Sequence, residues 1–135
     1  MLKACLDTNV LISGIVFAGP PAEIVTLAFN RKFQLVTSLF ILGELETNLI
    51  HKFSLSAKKT KRLINRISEI ADVYDPKGTV HVVKECPDDN YVLETAWVGR
   101  ARYLVTGDKH HLLPIKVFRN VKIVEAAFFL ETIRK

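Results

Sequence analysis

Four short acidic patches, around Asp7, Glu44, Asp88/Asp89 and Asp108, each fall where an apolar strand-like run ends or a helix-like run begins. In an open α/β sheet such ends converge on one crevice, so acids far apart in sequence can share a pocket. Clustered carboxylates repel one another, and a hard divalent cation relieves that repulsion. The chemistry of such a pocket is metal-assisted reaction at a phosphate. Each acid also has a plain alternative. Asp7 and Asp108 could start loops, Asp88 could cap a helix, and Glu44 could be one exposed helical carboxylate among several. Taken together, four coincidences at one sheet edge make the shared pocket the better reading.

The elements that must position these acids can be read from hydrophobic periodicity and from turn residues. Leu2 to Leu6 predicts a first strand that halts at Asp7, with Thr8, Asn9 and Ser13 leading into a glycine-punctuated loop. Gly19, Pro20 and Pro21 open a helix over Ala22 to Arg31, and Phe33 to Thr37 reads as the second strand. Ser38 is a natural N-cap for a helix to about Phe53, and a further helix runs from Ser56 or the lysines after it to about Val73. Tyr74 to Thr79, with Pro76 and Gly78, predicts a loop, and Val80 to Val83 is β-rich. A helix from Pro87 and Asp88 through Gly99, strands at Tyr103 to Thr106 and Val121 to Val124, and a terminal helix from Glu125 complete the chain. Alternating strands and helices imply an α/β fold, a parallel sheet covered on both faces with right-handed crossovers.

At 135 residues the chain fits a single domain, 1–135, large enough to close a core without staples. Hydrophobic residues make up 49% and charged residues 24%, the balance of a folded globular protein rather than a disordered tail. The longest apolar runs fall far short of a membrane span, and Asp7 interrupts the N-terminus before a signal-like region forms, so the expected location is the cytoplasm. Cys5 and Cys86 show neither paired metal-ligand spacing nor a disulfide framework and read as reduced thiols. The net charge of +5 favours an anionic partner, and a basic surface around an acidic pocket suits a nucleic acid.

The segments Leu6-Asp7-Thr8-Asn9-Val10-Leu11, Ser38 through Glu44-Leu45, Asp88-Asp89-Asn90 through Ala96, and Leu104-Val105-Thr106-Gly107-Asp108 resemble, in order, the four signature blocks of PIN domains. The resemblance covers essentially the whole chain. The opening and closing blocks are specific together, though either alone would be weak. Within the family the chain is most similar to the small prokaryotic group of toxins from toxin–antitoxin pairs, relatives of VapC. The resemblance implies a three-layer α/β/α sandwich with a mainly parallel central sheet and Mg²⁺- or Mn²⁺-dependent endoribonuclease activity leaving 5′-phosphate and 3′-hydroxyl ends. It further implies a homodimer that binds a protein antitoxin.

Carried over residue by residue, the resemblance makes Asp7, Glu44, Asp89 and Asp108 the acidic, metal-holding quartet, supported by Thr8, Asn9, Ser38 and Thr106. Periodicity alone places Glu46, not Glu44, on the apolar arc with Leu42, Leu49, Ile50 and Phe53; family spacing from Ser38 selects Glu44. Spacing to Val92 and Ala96 selects Asp89 and leaves Asp88 as helix cap or auxiliary acid. Relatives often carry another aspartate where Cys86 stands.

Lys58, Lys59, Lys61, Arg62 and Arg66 lie opposite Leu63, Ile64, Ile67 and Ile70 on one helix. A solvated basic face is the default there, and RNA contact by Lys58, Arg62 and Arg66 is the functional alternative. His110 and His111 follow Asp108 closely enough to lie near the pocket but read as surface residues, while Trp97, Phe128 and Phe129 read as core or dimer packing. A phosphatase of the haloacid dehalogenase type would carry a second aspartate two residues after the first, where Asn9 stands. The alternatives to a toxin are a housekeeping RNA-processing nuclease and a nuclease-dead module that binds RNA or protein.

Overall fold

Strand β1 (Lys3–Leu6) pairs in parallel with β2 (Gln34–Ser38) on one side and with β4 (Tyr103–Val105) on the other. Beyond β2 lies β3 (Asp72–Tyr74); beyond β4 lie β6 (Val121–Val124) and then β5 (Val117–Phe118), the one antiparallel strand. The resulting order is β3-β2-β1-β4-β6-β5 in a computed structural model that describes all of residues 1–135. Connections carry helices: α1 (Thr8–Val16) and α2 (Pro20–Phe29) before β2, α3 (Leu39–His51) and α4 (Ala57–Ile70) before β3, α5 (Pro87–Val98) before β4, and α6 (Ala126–Arg134) at the end.

Register shows which helices share a face, because residues paired across a sheet point the same way and chain neighbours point oppositely. Cys5 pairs with Val36 and Leu104, and a Cβ on Gly99 at the end of α5 would collide with the Val36 side chain. Ala4 pairs with Leu35 and Tyr103, and the Tyr103 ring meets Phe129 of α6 edge-on at 5.7 Å. Helix α5 therefore covers one face and α6, packed with α2, the other. The chain reverses direction across the sheet after β3, and α5 changes face as a right-handed crossover requires. These layers are the expected α/β/α sandwich.

The core is buried on both faces of the sheet: Ala4, Cys5, Leu6, Val36 and Leu104 are fully enclosed, and Phe33 meets Phe129 at 5.2 Å. No helix is long and apolar enough to cross a membrane.

Four local expectations are corrected. The segment after Asp7 is a helix, not a loop; Asp7 is its N-cap, and Gly14 is a packing spacer, where a Cβ would lie 2.5 Å from Val25 of α2. The helix predicted to Val73 ends at Ile70, and Asp72–Tyr74 pairs with β2 as a strand. Val80 to Val83 forms no strand; the Asn90 carboxamide oxygen accepts from the Val82 and Val83 N–H groups at 2.9 and 2.8 Å and its amide donates to the Val83 carbonyl at 2.7 Å. One side chain of α5 thus supplies the pairing that a neighbouring strand would give. Trp97 and Phe128 are exposed, which removes the core reading for them and leaves the dimer reading, with Trp97 lying under the Arg119 guanidinium at 4.3 Å.

Candidate active site

The carboxyl ends of β1, β2 and β4 open onto one cleft of about 440 Å³, at the point where successive connections leave the sheet in opposite directions. Such a switch point leaves a gap between helices that neither connection fills. Asp7, Glu44, Asp89 and Asp108 all line it, each from a different segment.

Asp7 is fixed most completely. Its backbone N–H donates to the Val105 carbonyl at 2.9 Å, tying the end of β1 to β4. One carboxylate oxygen accepts from the Thr8 N–H at 2.7 Å and the other from the Thr106 hydroxyl at 2.8 Å. Thr106 Oγ1 in turn accepts from the Asp108 N–H at 3.1 Å, so a single buried hydroxyl couples two acids. The Thr8 hydroxyl donates to Glu44 Oε1 at 2.7 Å, bridging α1 to α3.

The electrostatics are uneven. Burial pushes the Asp7 carboxyl up to about 6; hydrogen bonds from Thr106 and Thr8 oppose this, and the Asp89 and Glu44 charges reinforce it. Burial also raises Glu44, with Thr8 pulling it down and Asp88 and Asp89 pushing it up. Asp89 is raised first by burial and then by the charge of Asp108. Asp108 goes the other way: burial works to raise it, but the His111 and His110 N–H groups outweigh that and hold it below the usual carboxylate range. Those two donors reach Asp108 Oδ1 at 3.1 and 3.0 Å.

This donor set fits a hard divalent cation. The four carboxylates are oxygen ligands with mutual repulsion to relieve, and Asp89 Oδ2 is buried without a hydrogen-bond partner in the protein. Asp7, Glu44, Asp89 and Asp108 are the residues that would hold it.

The supporting residues are not all alike. Thr8 and Thr106 bridge the acids as described, and Asn9 is exposed on the cleft wall. Ser38 lies buried behind the site and caps α3, its hydroxyl accepting from the Ile41 N–H at 3.2 Å. Asp88 lines the cleft but does not cap α5; Cys86 occupies the N-cap without a side-chain bond, and Asp88 sits inside the first turn. Glu46, on the half-buried side of α3, is absent from the cleft wall, which Glu44 lines. The helix periodicity that favours Glu46 reports packing against the core; the cleft lies beside that stripe.

Lys58, Arg62 and Arg66 are exposed on α4 and line no part of the cleft; the Arg66 guanidinium covers the Phe29 ring at 5.1 Å. Three other cleft residues carried little weight in the sequence. Asn48 lies one helical turn after Glu44, the i+4 spacing that puts two residues on one face. His111 and Cys86 also line the wall, His111 Nδ1 standing 3.5 Å from Asp89 Oδ2 and 3.6 Å from Asp108 Oδ2.

Comparison with known proteins places the fold and the family. Among solved structures the fold matches a chain of VapBC-1 from nontypeable Haemophilus influenzae, with a TM-score of 0.64 at 16% identity over 93% of this chain and 99% of that one. It also matches a chain of VapBC2 from Rickettsia felis, solved bound to a DNA fragment from its promoter (TM-score 0.62, 14% identity, 92% and 98% covered). A third match is PAE2754 from Pyrobaculum aerophilum (0.61, 12%, 98% and 90%). At these identities the likeness concerns the fold. No curated protein matches the sequence. The family model described as PIN domain matches residues 3–110, which span β1 to the loop carrying Asp108 and so contain all four acids. The chain belongs to the PIN domain family.

Proposed function

We propose that this protein is a metal-dependent endoribonuclease, with Mg²⁺ or Mn²⁺ as cofactor, acting in the cytoplasm as the toxin of a toxin–antitoxin pair. The observation that carries the reading is the convergence of Asp7, Glu44, Asp89 and Asp108 on one cleft, with the Thr106 hydroxyl linking the first acid to the last. When bound there, the cation supplies Lewis-acid polarisation of a phosphate and lowers the pKa of water. The protein's part is to present carboxylate oxygens at fixed positions. Thr8 and Thr106 donate to Glu44 and Asp7, which keeps these side chains aimed into the cleft, and the His110 and His111 N–H groups do the same for Asp108. Asp7, the most enclosed of the four acids, holds its proton up to about pH 6 in the metal-free protein, and a bound cation would displace it.

The PIN family membership supports a nuclease, and the fold likeness to chains of VapBC structures is in keeping with a protein antitoxin as partner; the homodimer follows from the resemblance to small PIN toxins. The net charge of +5 supports RNA as the anionic substrate. The test is incubation of the purified chain with a mixed RNA pool in Mn²⁺, in Mg²⁺ and in chelator, beside Asp7→Asn. Cleavage only with metal and only in the wild type is expected. Tight metal binding without cleavage of any RNA would replace this reading with a binding module. Cleavage without growth arrest on expression would favour a housekeeping nuclease.

A further inference from the structure

Beside the four acids the cleft holds a donor set of different chemistry. Cys86 Sγ, an Asp89 carboxylate oxygen and a ring nitrogen of His111 lie within 4.8 Å of one another. Thiolate, imidazole and carboxylate together are the ligands of a borderline-soft cation such as Zn²⁺, whereas Mg²⁺ takes oxygen and dehydrates reluctantly. One edge of the set has a tetrahedral length. The 3.5 Å between His111 Nδ1 and Asp89 Oδ2 is the edge of a tetrahedron with arms of about 2.0–2.3 Å.

A second observation concerns the other side of the imidazole. His111 Nε2 is 3.3 Å from Glu85 Oε2, so the ring stands between an outer carboxylate and the cleft. A histidine held this way, one nitrogen on a carboxylate and the other facing the cation, is the usual arrangement around zinc. Cys86 and Asp89 are also linked through the start of α5, where the Asp89 N–H donates to the Cys86 carbonyl at 3.0 Å. That turn holds thiol and carboxylate on the same side of the helix entrance.

We propose that Cys86, Asp89 and His111 form a zinc site overlapping the four-carboxylate centre, and that zinc there excludes Mg²⁺ or Mn²⁺ by taking Asp89 away from it. The site has three protein ligands and leaves the fourth position to water. On binding, the thiol releases its proton to solvent and the sulfur bonds to the cation. The zinc-binding claim stands on these residues alone; only its inhibitory effect rests on the nuclease reading.

The experiment is titration of the metal-free protein with Co²⁺, followed by near-ultraviolet and visible absorption, with Zn²⁺ affinity measured by competition against a chromophoric chelator. The wild type should show a thiolate-to-cobalt charge-transfer band that Zn²⁺ abolishes. Cys86→Ser should lose the band and more than about 100-fold in zinc affinity, beyond the roughly 10–100-fold that losing a hydrogen-bond partner of a ligand costs. Serine is a favoured N-cap residue, so this variant should fold at least as well. His111→Gln should keep the charge-transfer band but weaken both metals by a similar factor. No band in the wild type, or unchanged zinc affinity in Cys86→Ser, overturns the site and leaves His111 as a neighbour of the carboxylates only. In Mn²⁺-supported cleavage, equimolar Zn²⁺ should inhibit the wild type and spare Cys86→Ser. A band without any Mn²⁺-supported cleavage would instead remove the nuclease reading while leaving the zinc site standing.

Discussion

Asp7 and Asp108 follow adjacent parallel strands and line the same cleft, yet their carboxylates are held in opposite ways. Asp7 is 7% exposed, enclosed by β1, β4 and α1, and its carboxyl is pushed up to about 6. Asp108 stands on an open loop, where backbone N–H groups solvate its charge and hold it low. Burial acts on both in the same direction but far more strongly on the enclosed Asp7, where two donors do not overcome it, while at the more open Asp108 the backbone donors and His111 do. In weak acid, below about pH 6, one wall of the cleft holds a proton while the other stays ionised. Below about pH 6 a cation entering the cleft would meet charge already in place at Asp108 and have to displace a proton at Asp7.

The sharpest test of that contrast is Asp7→Asn beside Asp108→Asn. Loss of a metal ligand removes several kcal/mol of transition-state stabilisation, so both should lose cleavage by on the order of 10²–10³-fold or more. Their effects on the metal-free fold should differ. A carboxyl whose folded pKa is raised stabilises the protein below its unfolded value, and that contribution is lost as pH rises through the folded value. For Asp7 the window runs from 3.8 to about 6. Melting of chelator-treated wild type should thus fall across this window, while Asp7→Asn stays flatter and is more stable by about 1–3 kcal/mol above pH 7. Asp108, held low, contributes stability that is lost as pH falls through its folded value, and Asp108→Asn should gain nothing at pH 8. Equal pH profiles for the two variants would break the comparison.

A second pair of contrasts separates adjacent acids. Glu44→Gln and Asp89→Asn should lose cleavage by about 10²-fold or more, whereas Glu46→Gln and Asp88→Asn should keep most of it. Retained activity in Glu44→Gln with loss in Glu46→Gln would move the helix ligand to the other residue.

Thr106→Val tests the hydroxyl that joins the walls. The residue is fully buried and the change nearly isosteric, so the fold should survive while cleavage and metal affinity fall about 10–100-fold. The pH at which metal binding is lost should rise, because Asp7 loses a donor that opposes its protonation. The smallest expected effect lies outside the cleft. Replacing Lys58, Arg62 and Arg66 together should flatten the salt dependence of RNA binding by up to about 2 units of slope, at roughly 0.7 for each phosphate contact. An unchanged slope would leave α4 as a solvated face, with Arg66 serving Phe29.

The elements with strong periodicity were legible in the sequence: β1, β2, β4, α3 and α5 lie close to where apolar spacing and capping residues put them. Those that were not legible have identifiable reasons. Helix α1 contains Asn9, Ser13 and Gly14, residues that usually mark loops, and it forms because Asp7 caps it and α2 packs closely on Gly14. Strand β5 turns into β6 through Arg119 and Asn120, both at positive φ, where a turn signal would ordinarily be Asn-Gly or Asp-Gly. In the site, residue types announced the acids and family spacing chose Glu44, which lines the cleft where Glu46 does not, while Asp88 and Asp89 both line it. Cys86 and His111, apart in the chain, give no paired spacing and become a cluster only through α5 and the loop after β4.

The two outer strands of the sheet have a consequence for assembly. β3 is three residues long and β5 two, against the five or so of a typical strand. An edge this short offers few unpaired backbone groups to an incoming chain, so the sheet resists extension by another strand and the runaway edge-to-edge association that follows from it. Any second copy or protein partner would then have to meet the helices, where side-chain complementarity rather than backbone pairing decides who binds.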